Sequence, residues 1–224
     1  MLGLSRRMIE CDRKMHRTTQ LTREEVMGHE ITGKTLGLVG IGQVGMQVAR
    51  IAQVFDIKVL ACDPHVEPAE IRRRGAEPVD LDTLLAQSDV VSLHCPRDHS
   101  TLRMMNAKRF GQMKPGAIFI TTARGGIHDE QALAEALSSG HLSGAGLDVW
   151  DQEPPPLDHP LLAMDRVYAT FHTAGVTHEA RRNVARMGAE QLIGYKNTMA
   201  LPPRCANPQA WSAHLARRQK ILGF

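Results

Sequence analysis

The sequence predicts an α/β protein in which a doubly wound parallel sheet carries helices on both faces. Apolar runs of strand length recur along the chain without polar alternation, and segments with helical apolar spacing separate them. A strand that is apolar on both sides has both faces covered, as in a parallel sheet between two layers of helices. The predicted strands are residues 35–40, 58–62, 90–94, 117–121, 144–149 and 167–169. The predicted helices are residues 44–55, 81–87, 101–110, 129–139 and, as a closing helix, 177–199.

Composition excludes several classes of protein. The net charge of +3 is small, and the run Arg72-Arg73-Arg74 is interpreted as a solvated helix face, so no nucleic-acid partner is predicted. No apolar stretch approaches the ~20 residues that cross a bilayer, so no membrane association is predicted. The start of the chain is rich in arginine, but Glu10 and Asp12 favour an amphipathic helix over a transit peptide.

Cysteine spacing gives a further expectation. Cys11, Cys62, Cys95 and Cys205 lie far apart, without the paired spacing of a zinc site or a disulfide framework. We therefore predict no metal site and a reducing, cytoplasmic location.

A glycine-rich turn follows the first predicted strand. In TLGLVGIGQVG, Gly40, Gly42 and Gly45 have G-x-G-x-x-G spacing between that strand and the next helix. In such turns the first glycine permits the tight bend, the second lets backbone approach a pyrophosphate, and the third lets the helix pack against the strand. The helix N-terminus then presents free N–H groups to phosphate oxygens. The alternative is a tight turn without a ligand.

An acidic residue ends the following strand, eighteen residues after Gly45. Asp63 stands where a carboxylate accepts hydrogen bonds from the ribose hydroxyls of a dinucleotide. Because a carboxylate repels a 2′-phosphate, NAD is predicted in preference to NADP. His65 and the run of arginines at 72–74 leave NADP open, and Asp63 could also be a simple turn residue before Pro64.

The segment IFITTARGGIHDE places a permanent cation at the end of a buried strand. Parallel sheets bind ligands at the carboxyl ends of their strands, and Gly125 and Gly126 leave room for a ligand near the backbone. The guanidinium of Arg124 can hold a carboxylate bidentately. Arg124 could instead cap the strand end or pair with Asp129.

Two later strands end at the same edge. GAGLDVWDQEP brings Asp148 and Glu153 there, and YATFHTAG brings His172. A carboxylate beside an imidazole raises the pKa of the histidine, which suits it to donate a proton near neutral pH. The three strand ends together bring an arginine, an Asp or Glu and a histidine to one edge, which favours a catalytic role for His172 over a structural one.

These segments resemble the D-isomer-specific 2-hydroxyacid dehydrogenases over residues 2–208. The resemblance implies a Rossmann-type domain, a bound NAD and a small 2-hydroxy or 2-oxo acid as substrate. It implies that Arg124 binds the substrate carboxylate and polarises its carbonyl, that His172 is the acid/base and that Glu153 is its hydrogen-bonded partner. The segment SLHCPRDHSTLRMMN resembles the part of the family that lines the cofactor cleft, and Asp148 would lie at the nicotinamide end. The predicted cofactor-binding residues are Gly40, Gly42, Gln43, Val44, Gly45, Asp63, His94, Cys95, Pro96, Thr101, Thr122, Ala123, Arg124, Asp148, His172, Ala174 and Gly175.

The resemblance also sets expectations for organisation. We predict a linking helix at residues 1–20, the NAD-binding Rossmann domain at 21–200, and at 201–224 a tail that is the remnant of a link to an absent substrate domain. A homodimer is expected, with the helix at 2–17 and the 124–143 region contributing and with Leu2, Leu4, Met8 and Ile9 otherwise exposed.

The matching segment departs from the family at one point. In the family most of a separate substrate-binding domain precedes it, so the interdomain cleft is expected to have one wall here. A natural short form, a cloned domain and a truncated reading frame remain open, as does the identity of the 2-hydroxy acid. The functional prediction is an NAD-dependent 2-hydroxyacid dehydrogenase that acts on CH–OH donors. The alternative is an NAD-binding module or sensor with little or no turnover.

Overall fold

The computed structural model describes residues 1–222, and the chain folds into two compact units, Met1–Ala174 and Gly175–Phe224. The first unit contains one parallel sheet of seven strands in the order β3-β2-β1-β4-β5-β6-β7. The strands are β1 Thr35–Val39, β2 Lys58–Cys62, β3 Glu77–Pro78, β4 Val90–Leu93, β5 Ala117–Thr121, β6 Leu142–Leu147 and β7 Val167–Ala169. The helices are α1 Leu2–Ser5, α2 Met8–Met15, α3 Gln43–Gln53, α4 Pro68–Arg73, α5 Leu81–Gln87, α6 Ala107–Gln112, α7 Glu130–Ser138, α8 His178–Thr198 and α9 Trp211–Leu222.

The sheet has a separate hydrophobic core on each face. Leu36 and Leu38 of β1 pack with Ala49 of α3 and Ile71 of α4 on one face. The other core contains Val39 of β1 together with residues of α5, α6 and α7. Since β1 and β4 are neighbours, the strand order reverses beside β1, as in a doubly wound sheet. The predicted fold class is confirmed.

Polar side chains fix where several helices begin. Asp80, Asn106 and Asp129 each precede a helix of the first unit and accept a hydrogen bond from the backbone N–H three residues later. Each such cap satisfies an amide that the first turn leaves free, and its loss costs about 1 kcal/mol. Thr177 caps α8 in the same way, and the predicted closing helix is confirmed.

The helix predicted at residues 101–110 is wrong over its first half. Residues 101–103 lie in turns, and Met105 forms a parallel bridge with His128, which takes its backbone out of any helix. The helix begins only at Ala107, after the Asn106 cap. The sequence reasoning missed the short strand β3 and gave no bounds for α4, although it interpreted Arg72–Arg74 as a helix face.

The N-terminal segment forms two helices where one was expected. Arg7 has a left-handed φ of 49° between α1 and α2. The carbonyl of Ser5 accepts from the amide of His29 (2.7 Å), and the Ile9 amide donates to the Tyr168 hydroxyl (2.8 Å). A Cβ on Gly28 would lie 2.4 Å from the Ser5 carbonyl oxygen, so only glycine allows this crossing. These tertiary hydrogen bonds replace the helical ones and interrupt the helix.

The second unit, over its described residues, contains α8 and α9. Tyr195 of α8 packs edge to face with Trp211 of α9, and its hydroxyl lies 2.7 Å from Nε2 of His214. The predicted tail at 201–224 thus includes a helix, and residues 223 and 224 lie outside the described part of the chain. Among residues 1–222, no helix combines the length and the apolar character needed to cross a bilayer.

One polar residue of the core lacks side-chain hydrogen bonds within residues 1–222. His128 is fully buried beside the Phe119 ring, and neither ring nitrogen has a hydrogen-bond partner within residues 1–222. Burial lowers its pKa to about 4, because the charged form would lose its hydration. The folded state therefore holds the neutral imidazole, at the cost of two unsatisfied polar atoms.

We predict that His128→Leu raises the free energy of unfolding by about 1–3 kcal/mol at pH 7.5, the usual cost of an unsatisfied buried polar group. In the wild type the full free energy of unfolding is present above about pH 6.5, the pKa of histidine in the unfolded chain. It decreases as the pH falls towards 4, because the unfolded state then binds a proton that the folded His128 does not, and the loss is roughly 2 kcal/mol at pH 5. Urea unfolding at pH 7.5 and pH 5 measures both effects. Equal pH dependence in the variant and the wild type would contradict the assignment to His128.

Candidate active site

Two of the three glycines in the turn after β1 are required by the fold itself. Gly40 has a left-handed φ of 92°, and a Cβ there would lie 2.8 Å from the backbone nitrogen of Cys95. A Cβ on Gly45 would lie 2.4 Å from the carbonyl oxygen of Gly40. Either substitution would force backbone apart, so neither glycine is evidence for a ligand.

Gly42 is different. Its φ of −66° is accessible to other residues, and a Cβ added there would meet no atom within 4 Å. Gly42 is also the N-cap of α3, where no side chain caps the first-turn amides. The turn therefore has open space in front of free N–H groups at the positive end of a helix, which fits the pyrophosphate of a dinucleotide.

Asp63 lies beside this turn. Its Oδ2 accepts from the amide of Ile41 (3.0 Å), and its Oδ1 accepts from the amide of His65 (3.0 Å). The carboxylate thus closes its own turn, as the alternative interpretation held, and also contacts the glycine-rich turn. Each oxygen retains a lone pair for a further donor such as a ribose hydroxyl.

The three neighbouring arginines are each paired with an acid. Arg72 contacts Glu77, while Arg73 and Arg74 both contact Glu70. Their charges are therefore partly compensated within the protein, which weakens the case that this run binds a 2′-phosphate.

Two side chains of the segment after β4, His94 and Cys95, contribute neutral groups to the site. Burial lowers the pKa of His94 to about 4, and its Nε2 lies 3.0 Å from the Ser92 hydroxyl. Burial also raises the pKa of the Cys95 thiol to about 11. Both side chains are therefore neutral at physiological pH. Thr101 donates its hydroxyl to the carbonyl of Pro96 (2.8 Å) and so holds this segment in its turn.

Arg124 lies exposed at the end of β5. Its Nη1 donates to the carbonyl of Ala123 (2.6 Å), and among residues 1–222 it forms no ion pair with a carboxylate. The suggested pairing with Asp129 is wrong, because Asp129 caps α7 and pairs with Arg103. A Cβ on Gly125 would overlap the carbonyl of Trp150, so the loop after β6 packs directly against the arginine loop.

His172 and Glu153 form a pair at the same edge. Nδ1 of His172 lies 2.9 Å from Oε2 of Glu153, and both side chains are partly exposed. The contact with His172 holds the pKa of Glu153 below its ordinary value. Because Nδ1 is engaged by the carboxylate, Nε2 is the ring nitrogen left to face a ligand.

Asp148 organises the loop that carries His172. Its carboxylate accepts from the Thr170 hydroxyl (2.6 Å) and from the amides of Thr173 (2.8 Å) and Ala174 (2.9 Å), and its carbonyl accepts from the His172 amide (2.7 Å). Burial raises the pKa of Asp148, but these hydrogen bonds outweigh it and leave the pKa lowered. They also hold His172 at a left-handed φ of 47°, a strained conformation for a residue with a side chain.

One open cavity of about 800 Å³ joins these parts. The predicted site residues that line it are Val44, His94, Cys95, Pro96, Thr122, Ala123, Arg124, Glu153 and His172. Arg97, Trp150 and Asp151 also line it and were missed by the sequence reasoning. Arg97 directly follows Pro96, and Trp150 and Asp151 lie between Asp148 and Glu153, so proximity to a motif was the only available signal.

Other predicted residues lie outside that lining. Gly40, Gly42, Gln43 and Gly45 belong to the turn and to the start of α3, next to Val44. Asp63 lines a neighbouring groove with Pro64 and Val79. Thr101, Asp148 and Ala174 hold loops in place as described above. Gly175 belongs to the second unit.

Within residues 1–222 no group of three histidine, cysteine or acidic side chains is arranged to hold a metal ion. The groups present at this edge are an imidazole paired with a carboxylate, a guanidinium and a helix N-terminus. Such a set can bind anions and transfer a proton.

Known proteins resemble this chain in sequence. The model of the family "D-isomer specific 2-hydroxyacid dehydrogenase, NAD binding domain" matches residues 1–174. A D-3-phosphoglycerate dehydrogenase of Archaeoglobus fulgidus is 42% identical over 86% of this chain and 36% of its own length. A glyoxylate reductase of Korarchaeum cryptofilum is 38% identical over 93% of this chain and 64% of its own length. The chain thus spans about one third to two thirds of the length of these two relatives.

Solved structures also resemble this chain in fold. A D-lactate dehydrogenase from Lactobacillus jensenii, solved with NAD⁺, superposes with a TM-score of 0.79 at 34% identity, over 88% of this chain and 62% of that one. An acyclic imino acid reductase solved with NADPH and D-Arg gives a TM-score of 0.80 at 31% identity, over 90% and 63% of the two chains.

Proposed function

Because the chain belongs to the D-isomer specific 2-hydroxyacid dehydrogenase family and carries its NAD-binding domain, we propose that it transfers hydride between NAD(H) and a 2-hydroxy or 2-oxo acid. One observation supports this proposal more than any other. Val44, in the first turn of α3 beside the glycine-rich turn, lines the same cavity as Arg124, Glu153 and His172. A cofactor held at the turn and an acid held by Arg124 would share one space with a proton donor.

The turn and its neighbours would hold the cofactor. The free amides at the start of α3 would bind the pyrophosphate, and Asp63 would accept from the adenosine ribose. The neutral side chains of His94 and Cys95 suit the less polar parts of the molecule. Bound NADH supplies the hydride that reduces C2 of the acid.

His172 would act on the oxygen at C2. In the reduction direction the imidazolium donates its Nε2 proton to the forming alkoxide, while Nδ1–H stays hydrogen-bonded to Glu153. Glu153 orients the ring and stabilises its charged form. In the oxidation direction the neutral Nε2 accepts the hydroxyl proton.

Arg124 would bind the substrate. Arg124 has no ion pair with a carboxylate in the described part of the chain, so its guanidinium group is available for a carboxylate ligand. The same charge stabilises the negative oxygen as hydride arrives. Gly125 and Gly126 do not leave the room for a ligand that the sequence suggested, because a Cβ on Gly125 would overlap the Trp150 carbonyl and one on Gly126 would lie 3.3 Å from Nη1 of Arg97.

The test is a steady-state assay of NADH oxidation with glyoxylate, hydroxypyruvate and pyruvate. Residues 1–174 match an NAD-binding domain, which would supply one wall of a cleft, so we expect these 224 residues by themselves to turn over far more slowly than a two-domain relative. Positioning can account for ~7–11 kcal/mol of a barrier, and a cleft closed from both sides also excludes water. Values of kcat/KM near ~10⁴ M⁻¹s⁻¹ would show that a second wall is supplied otherwise. NADH binding without any oxidation of NADH would support the competing function, an NAD-binding module.

We predict that NADH binds more tightly than NADPH. Asp63 would place a carboxylate beside the ribose, and each arginine of the 72–74 run is already paired with an acid. Fluorescence titration with both reduced cofactors measures the difference. Equal affinities would mean that the arginines compensate for the repulsion from Asp63. The titration must include NADPH because a similar reductase was solved with that cofactor.

We also propose a homodimer and a cytoplasmic location. Leu2 and Met8 expose about half or more of their surface at the start of the chain, which favours a covered interface. Leu4, by contrast, packs near Gly144 and Gly146 of β6 and is not available. Light scattering should give the mass of a dimer at micromolar concentration, and a monomer mass at every concentration would contradict the proposal.

A further inference from the structure

The peptide groups around Ile41 are held by two charged side chains. Its N–H donates to Asp63 (3.0 Å), and its carbonyl accepts from Nη1 of Arg74 (2.7 Å). The Ile41 side chain itself is fully buried. The middle of the glycine-rich turn is therefore fixed on both sides, by an acid that follows β2 and by an arginine that follows α4.

Glu70 holds the Arg74 side chain in position for this contact. Arg74 is the C-cap of α4, and its Nε lies 2.7 Å from Oε1 of Glu70, one helical turn earlier. Arg73 pairs with the same carboxylate but lies 74% exposed, whereas Arg74 is 23% exposed. The two arginines hold the pKa of Glu70 at about 2, so Glu70 stays ionised and keeps orienting Arg74.

The hydrogen bond from Arg74 to the Ile41 carbonyl also fixes the N–H of Gly42. In a planar trans peptide the C=O of Ile41 and the N–H of Gly42 point in opposite directions, so fixing the carbonyl fixes the amide. Gly42 is the N-cap of α3 and borders the open space in front of its free amides. A turn whose amides are already oriented binds an anion without the cost of ordering them.

We propose that Arg74 is a positioning residue for the cofactor: it holds the Ile41–Gly42 peptide so that the amides at the start of α3 face the pyrophosphate. This inference rests on the proposed cofactor site. It assigns different roles to the arginines of one run, since Arg73 only pairs with Glu70 at the surface, whereas Arg74 also acts on the turn.

Arg74→Gln and Arg73→Gln form a matched pair, because each removes an arginine that pairs with Glu70 and only the first removes the contact with Ile41. We expect Arg74→Gln to raise the Kd for NADH about tenfold, which is the size of one charge-assisted hydrogen bond. Arg73→Gln should bind NADH as the wild type does. Arg74→Lys should recover part of the affinity, because its ammonium group can still donate to a carbonyl. Thermal unfolding of the first unit should be similar in the two glutamine variants.

Amide hydrogen exchange without cofactor gives a readout that does not depend on NADH binding. Exchange at Ile41 should be faster in Arg74→Gln than in the wild type and unchanged in Arg73→Gln. Equal exchange in all three proteins, or equal loss of NADH affinity in both glutamine variants, would overturn the role of Arg74. A wild-type protein that does not bind NADH would instead refute the proposed cofactor site, while the exchange comparison would still decide whether Arg74 orders the turn.

Discussion

Replacing His172 by alanine is expected to lower kcat for reduction of a 2-oxo acid by about 10²–10⁴, the usual contribution of a general acid. The Kd for NADH should change little, because the cofactor contacts that we propose lie mainly at the turn after β1 and at Asp63. The reason for the loss is specific. Among the described residues that line the cavity, only His172 has one ring nitrogen hydrogen-bonded to a carboxylate and the other ring nitrogen free.

The comparison needs two further variants. His99→Ala removes an exposed histidine that lies outside the cavity lining, and its kcat should match that of the wild type. Glu153→Gln keeps a hydrogen-bonding partner for His172 but removes the charge that stabilises the imidazolium, so an intermediate loss is expected. Because turnover is expected to be slow, rates are best measured with the protein in excess over NADH. An unaltered rate in His172→Ala would remove His172 from the mechanism.

Much of the fold was predictable because its strands are buried on both faces. The six longer strands have continuous apolar runs, and all six were located to within two residues at each end. The missed strand β3 has two residues, one of them Pro78, and pairs only with β2 at the edge of the sheet. So short an edge strand leaves no apolar run in the sequence. The false helix start at Thr101 arose because local spacing resembled a helix, whereas the backbone pairing of Met105 with His128 prevailed.

The candidate site was predictable in its residue types and less so in its supporting contacts. The strand-end rule brought Arg124, Glu153 and His172 to one edge, and the structure places all three around one cavity. The sequence could not show that Asp148 organises the His172 loop, because that depends on hydrogen bonds with residues more than twenty positions away. For the same reason Arg74 could be interpreted only as part of a solvated basic run until its contact with Ile41 was seen.

The second large effect is expected from replacing Gly42 by alanine. Its φ is negative and a Cβ there would contact no protein atom within 4 Å, so the folded chain has no need for glycine at this position. If the open space is where a pyrophosphate approaches the backbone, then a methyl group would occupy the place of the ligand. Gly42→Ala should therefore leave folding intact and weaken NADH binding by tenfold or more, about 1.4 kcal/mol or above. Gly40→Ala and Gly45→Ala would be uninformative, because both would disturb the fold.

The central claim is that NAD(H) binds at the turn after β1, and NADH titration of Gly42→Ala beside the wild type tests it most directly. Gly111→Ala is the matched control, since Gly111 is exposed on α6 and a Cβ there also meets no atom within 4 Å. We predict saturable binding to the wild type and to Gly111→Ala, and binding at least about tenfold weaker to Gly42→Ala with an unchanged thermal unfolding midpoint. Equal NADH affinity in all three proteins, or no binding to the wild type, would contradict the account.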